Sequence, residues 1–266
     1  MVEQALSRLE SDGVVVLEKP GAVSIPMEID HLLKTRQDWE EHYLPRLHFH
    51  ADRVQKALVR VNDKMIPFDE GGRDFLVADN RAYIYGLHCG SLFGRIRDII
   101  GVVGVSYLYA DDPDLYDEII NVTAELCYQC TKMALESGAK FDFAHFWEDI
   151  CFRGGPLVIP SVFEEKVGPH YKRITDLCHK HGINLVSLDC DGCIDALVPI
   201  WLENGVNVMF PIEVGAWDAS IAPWREKYGK GILGVGGMNK VVFTRDRADV
   251  DEEVERLKAL VDLGGF

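Results

Sequence analysis

The segment LVSLDCDGCIDALVPIWLENGVNVMFPIEVGAWD holds the densest set of groups able to do chemistry. An apolar run leads straight into Asp189, Cys190, Asp191 and Gly192, so two carboxylates stand two residues apart and, on an extended chain, point to one side. Gly192 lets the backbone turn sharply after them. Asp191 or Asp195 is expected to cap the helix that follows. Asp189, still within the strand, has no capping duty and is expected to be functional. Glu213 follows Pro211 in the same relative place one unit later, although a Glu there is also compatible with a hydrogen bond to a neighbouring loop. Carboxylates gathered at one point repel unless they share a proton, a cation or a basic substrate. Oxygen donors suit hard cations, and zinc accepts them too, so Asp189, Asp191 and Glu213 are the expected ligands of a divalent metal.

A second candidate set lies in FAHFWEDICFRGG. His145 and Glu148 have the types and spacing of an acid/base pair, and Arg153 could meet an anionic substrate group. Among Phe143, Phe146 and Trp147, His145 is equally compatible with a packed ring. His88 and Asn239 occupy comparable places at the ends of other apolar runs and are expected to contact substrate. Two CxxC pairs, Cys127 with Cys130 and Cys190 with Cys193, are too far apart for a compact zinc ribbon. The first pair sits in a long helical stretch with apolar neighbours and reads as core; the second flanks the acidic loop and is a weaker ligand candidate.

These residues need a scaffold that brings several strand ends together. The apolar runs Tyr83 to Leu87, Val105 to Tyr109, Phe141 to Phe146, Ile183 to Leu188, Val206 to Pro211 and Ile232 to Val235 each precede a helical stretch, which predicts parallel strands with right-handed crossovers. Helix starts are signalled by Pro113 after Asp112 and by a capping box of Ser161 with Glu164; Gly138, Gly182 and Gly205 stand at helix ends. An open doubly wound sheet would show GxGxxG after its first strand, and neither GLHCGSLFG nor GVGGMNK fits. Polar residues gather at many strand ends instead: His88 and Cys89, Asp111, His145 and Glu148, Asp189 and Asp191, Glu213, Asn239. That pattern favours a (β/α)8 TIM-barrel, an α/β fold, over residues 81–266. Residues 1–80 read as a helical appendage, in which Thr35 and Asp38 form a capping box that starts a helix near Arg36, and Pro45 interrupts it.

Composition narrows the function. With 28 basic and 43 acidic side chains the formal charge is −15, which repels phosphate backbones and anionic lipid and argues against nucleic-acid and membrane-surface roles. No apolar run approaches a membrane span and the first residues do not read as a secretory signal, so a cytoplasmic protein is expected. The 7 cysteines, odd in number and set in apolar segments, read as reduced thiols.

Three stretches, LFGRIRDIIGVVGVSYLYADDPDLYDEIIN, FWEDICFRGGPLVIPSVFEEKVGPHYKRITDLCHKHG and GVNVMFPIEVGAWDASIAPWREKYGKGILGVGGMNK, together resemble the uroporphyrinogen decarboxylase superfamily, from about Gly90 to Phe266. The resemblance implies a (β/α)8 barrel, here with terminal strands missing or truncated. Its decarboxylase branch carries an arginine-rich RQAGRY motif that has no match in this chain. Its corrinoid and coenzyme M methyltransferases hold zinc through HxCG at a strand end, where this sequence has Asp189, Cys190, Asp191 and Gly192. The resemblance therefore implies metal-assisted methyl transfer from a small methylated substrate to a corrinoid carried by a partner protein. Asp189, Asp191 or Glu213 would then hold the metal, and His145 or Glu148 would handle the proton. A decarboxylase-like lyase acting on a polycarboxylate and a catalytically inactive barrel serving as a binding subunit are the other readings. Assembly as a homo-oligomer is compatible with each.

Overall fold

The computed structural model describes residues 8–9, 14–17, 27–31, 33–79, 83–215 and 217–265. Its centre is a five-stranded parallel sheet of β1 (Gly86–Gly90), β2 (Phe143–Trp147), β3 (Val186–Asp189), β4 (Val208–Ile212) and β5 (Leu233–Gly236), lying side by side in chain order. Strands step across the sheet without reversing, as they do in a barrel wall, whereas a doubly wound sheet reverses at a switch point. Crossovers of one hand then place the connecting helices on one face. Among the described residues the sheet does not close into a barrel: β1 and β5 are its edges, and beyond β5 the Gly234 amide donates to the Gly265 carbonyl at 2.8 Å.

Alternation divides each strand between the two faces. Ala144, Phe146, Val186, Leu188 and Met209 are fully buried on the helix side. There α1 (Gly94–Asp111), α2 (Pro113–Glu136), α3 (Pro160–Lys166), α4 (Gly168–Lys180), α5 (Val198–Glu203), α6 (Ile221–Tyr228) and α7 (Arg247–Asp262) alternate with the strands. The Phe146 ring meets Tyr171 of α4 edge-on at 4.9 Å, and Phe163 meets Trp201 at 6.2 Å. The other face carries His88, Phe143, His145, Trp147, Ser187, Asp189 and Phe210, which lie in register across β1 to β4.

One expected strand is a helix. Val105 to Tyr109 lies inside α1, past its break at Gly101, where Val105 and Leu108, three residues apart, face the core while Val103 and Tyr107 are exposed. Packing along that stripe overrides the strand propensity of the β-branched and aromatic residues. Asp111 consequently ends a helix beside Lys34 and Arg36 and is not a strand-end residue. The helix breaks at Gly101, φ +82°, where the His31 ring occupies the place a Cβ would take.

Other local signals vary in outcome. Thr35 and Asp38 form the capping box and the helix starts at Arg36; a π-turn (Trp39–Tyr43) then passes into a 3₁₀ turn (Leu44–Arg46) containing Pro45. Pro113 opens α2, with the Asp112 carboxylate accepting from the Leu115 amide. Gly138, Gly182 and Gly205 have φ of +84°, +83° and +87°. The Ser161–Glu164 box does not form: Pro160 already opens α3, Ile159 is its N-cap, and no side chain caps it.

The N-terminal region is less helical than its sequence suggests. It contains a three-stranded antiparallel sheet (Arg8–Leu9, Val14–Leu17, Met27–His31) and a hairpin (Leu58–Val61 with Lys64–Pro67). Trp39, Tyr43, Val54, Phe68 and Leu76 join the same apolar core as the sheet. Arg36 bridges Asp112 and Glu118 of the α2 segment, and the Trp39 indole donates to Glu118.

Candidate functional site

β3 ends in Asp189 on the open face, and two residues later Asp191 keeps the same parity before Gly192 turns the chain at φ +87°. From β2 the same alternation carries His145 to Trp147 and on to Asp149, which adopts a left-handed φ of +47°. Asp149, Asp189 and Asp191 can each place one carboxylate oxygen so that all three lie within 4.8 Å of one another. Asp149 also accepts from the Asp191 amide at 3.0 Å, and Arg97 holds the Asp149 carbonyl at 2.7 Å while its guanidinium lies over the Trp147 ring.

Glu213 stands at the same end but has a partner, accepting from the Gly192 amide at 2.8 Å. It lies outside the group of three, although Asp191 feels its charge. Partial burial, reinforced by Asp149 and Asp191, pushes the Asp189 carboxyl up to about 6. Asp191 is raised by burial, Asp149 and Glu213, with Lys240 opposing. The site thus concentrates negative charge with little compensation.

Glu148 differs from its expected acid/base role. It is fully buried on the helix side, where its carboxylate accepts from the Leu92, Phe93 and Gly94 amides at 2.8, 2.9 and 2.6 Å, from Ser91 Oγ at 3.2 Å and from the Tyr171 hydroxyl. Burial raises its pKa despite these donors. The carboxylate stands at the amino end of α1, where amides and helix dipole favour an anion, and it does not face His145.

His145 lies one layer beneath Asp189, its Nδ1 2.8 Å from Ser187 Oγ. Partial burial and then His88 lower its pKa; burial alone lowers that of His88. The two rings meet edge-to-face at 5.6 Å. Arg153 is exposed in the turn between Cys151–Phe152 and Gly155–Pro156, with no ion pair among the described residues. Asn239 serves as a cap: its side chain accepts from the Val241 amide and packs against Gly215. Asp195 does not cap a helix but accepts from the Trp224 indole at 2.7 Å, and α5 begins after Leu197 without a side-chain cap.

All seven cysteines are free. Cys127 packs in α2 with its thiol toward the Ser91 carbonyl. Cys190 points away from the aspartates and is fully buried, in contact with Cys151.

Asp149 is the member of the group that sequence reasoning did not select as a ligand. Counting by twos from His145 would have reached it, and would have sent Glu148 to the opposite face.

No family model matches the chain, and no curated protein matches it in sequence. Its fold is similar to that of a methyltransferase from Methanosarcina mazei, with a TM-score of 0.51 at 14% identity. The match covers 79% of this chain and 56% of the other, so this chain spans little more than half of that protein's length. At that identity the likeness concerns the fold. No helix among the described residues is long and apolar enough to cross a membrane.

Proposed function

We propose that the chain is a methyltransferase-like enzyme of the uroporphyrinogen decarboxylase superfamily, its sheet being part of a (β/α)8-type barrel, acting on a small methylated substrate. The observation that carries this reading is the group Asp149, Asp189 and Asp191, converging at the strand ends of a fold similar to that of a methyltransferase. The donor set fits a hard or borderline divalent ion, since all three ligands are carboxylates and their mutual repulsion is what a cation relieves. Bound there, the ion would supply Lewis acidity to polarise a substrate heteroatom. Asp149, Asp189 and Asp191 would hold it, Glu213 would fix the Gly192 turn, and neutral His145 would stand ready to accept a proton. A corrinoid on a partner protein is the proposed methyl acceptor. The same charge disfavours a polycarboxylate substrate, which would have to approach these acidic groups.

Thermal melts with zinc, manganese and magnesium test the reading. The wild-type midpoint should rise with at least one ion, by about 2.7 kcal/mol of stabilisation at 100-fold over Kd. Asp189→Ala should fold and lose the response. If no ion and no methyl-donor candidate shifts the wild-type midpoint, the group is structural and an inactive binding subunit is the better description.

A further inference from the structure

The first turn of α1 and the residues just past β2 hold one another at several points. The Glu148 carboxylate takes the Leu92, Phe93 and Gly94 amides, and the Glu148 carbonyl lies so close to Gly94 that no side chain would fit there. Three residues on, Arg97 reaches the next carbonyl. Its guanidinium donates to the Asp149 carbonyl at 2.7 Å, pairs with Asp98 and lies over the Trp147 ring at 5.8 Å. Among the described residues no other donor reaches that carbonyl. Asp149 has a φ of +47°, a left-handed conformation that a residue with a Cβ keeps only where its surroundings hold it. Its side chain is tied as well, Oδ1 accepting from the Asp191 amide at 3.0 Å.

We propose that Arg97 is the positioning residue of the acidic group: from the first turn of α1 it holds the Asp149 backbone in its left-handed turn, and so keeps the Asp149 carboxylate within reach of Asp189 and Asp191. This deepens the methyltransferase reading at its metal site and rests on that reading for the ion. The bond runs to the backbone of Asp149, and the charge of Arg97 is taken up by Asp98. Lys240, past β5, is the cation that opposes the rise at Asp191. Charge and position therefore predict opposite signs. Removing a cation from beside a cation site strengthens binding by Coulomb attraction, whereas losing the bond that orients a ligand weakens it.

Europium(III) on the full chain is the probe, a hard ion that takes oxygen ligands and whose luminescence lifetimes in light and heavy water count the waters it keeps. Wild type should bind it, and Asp189→Ala should abolish binding. Arg97→Met, which retains an apolar stem against Trp147, should weaken binding about tenfold and add about one coordinated water. Asp149→Ala should add the same water, and joining the two changes should add no more, because both act on one ligand. Arg97→Lys keeps the charge but cannot hold the carbonyl and Asp98 together, so it should weaken binding too, and the expectation does not depend on Arg97→Met folding. Ion-free melts show which variants are folded. Unchanged or tighter binding in the folded Arg97 variants, with the wild-type water count, overturns the positioning role and leaves the metal reading standing. No ion bound by wild type, or binding that ignores Asp189→Ala, overturns the metal reading and this inference together.

Discussion

Adjacent residues at the end of β2 put carboxylates in opposite situations. Glu148 is buried and receives three backbone amides and two hydroxyls; Asp149, next in the chain, joins Asp189 and Asp191 at the open end of the sheet. The first is an anion the fold has provided for, and removing it would strand buried donors. The second belongs to a group of three carboxylates, and although burial raises both Glu148 and Asp189, only Asp189 is raised further by neighbouring carboxylates, Asp149 and Asp191. Saturated hydrogen bonding marks the architectural acid, and unsatisfied charge marks the acids available to a ligand.

The largest test of this contrast is Glu148→Ala. Loss of a buried carboxylate with the surrounding amides and Tyr171 left unpaired should cost about 3–5 kcal/mol in urea unfolding. A loss below about 1 kcal/mol would place Glu148 on the same footing as the aspartates. The expected change at Asp189 is smaller and opposite in sign. Its folded carboxyl titrates near 6 against 3.8 for the free group, so between those values the native state holds the extra proton. Stability without metal should therefore fall as pH rises from about 4 to 6 and stay lowered above that. Asp189→Asn should flatten this slope and melt above wild type at neutral pH without metal; a mutant that melts lower, or keeps the slope, breaks the assignment. The smallest effect is expected from Arg153→Ala, since the side chain is exposed and makes no ion pair among the described residues, with a change within about 0.5 kcal/mol. A larger loss would reveal an architectural role at the rim.

Most of the sheet is legible in the sequence: of the apolar runs that predict strands, all but Val105 to Tyr109 contain or overlap strands of the sheet. Val105 to Tyr109 is helical because only Val105 and Leu108 of that run, three residues apart, face the core, a period that a five-residue window barely samples. Asp189 and Asp191 were legible because they end an unbroken apolar strand. Glu148 follows strand parity to the helix side, and its donors, Ser91 to Gly94 upstream and Tyr171 downstream, lie too far away in sequence to leave a local signal. The contacts of His88 with the Gly90 amide and of His145 with Ser187 had no sequence signal at all, since the fold alone brings these groups alongside.

The loops after β2 and β3 are joined to each other mainly through backbone atoms. The Glu148 amide donates to the Asp189 carbonyl at 2.8 Å, the Cys193 amide to the Phe152 carbonyl at 2.9 Å, and Gly192 lies so close to the Cys151 carbonyl that a side chain would not fit. The spacing between positions 149, 189 and 191 is thus set largely by backbone bonds, to which the Asp149 and Glu213 carboxylates add one each, on the Asp191 and Gly192 amides. Exchange of the Asp189 or Asp191 side chain, oxygen donor for nitrogen or sulfur, can retune the chemistry at this end of the sheet without rebuilding it, whereas exchange at Asp149 gives up one of those bonds. Insertions into either loop do not have that freedom, because lengthening one would pull both apart.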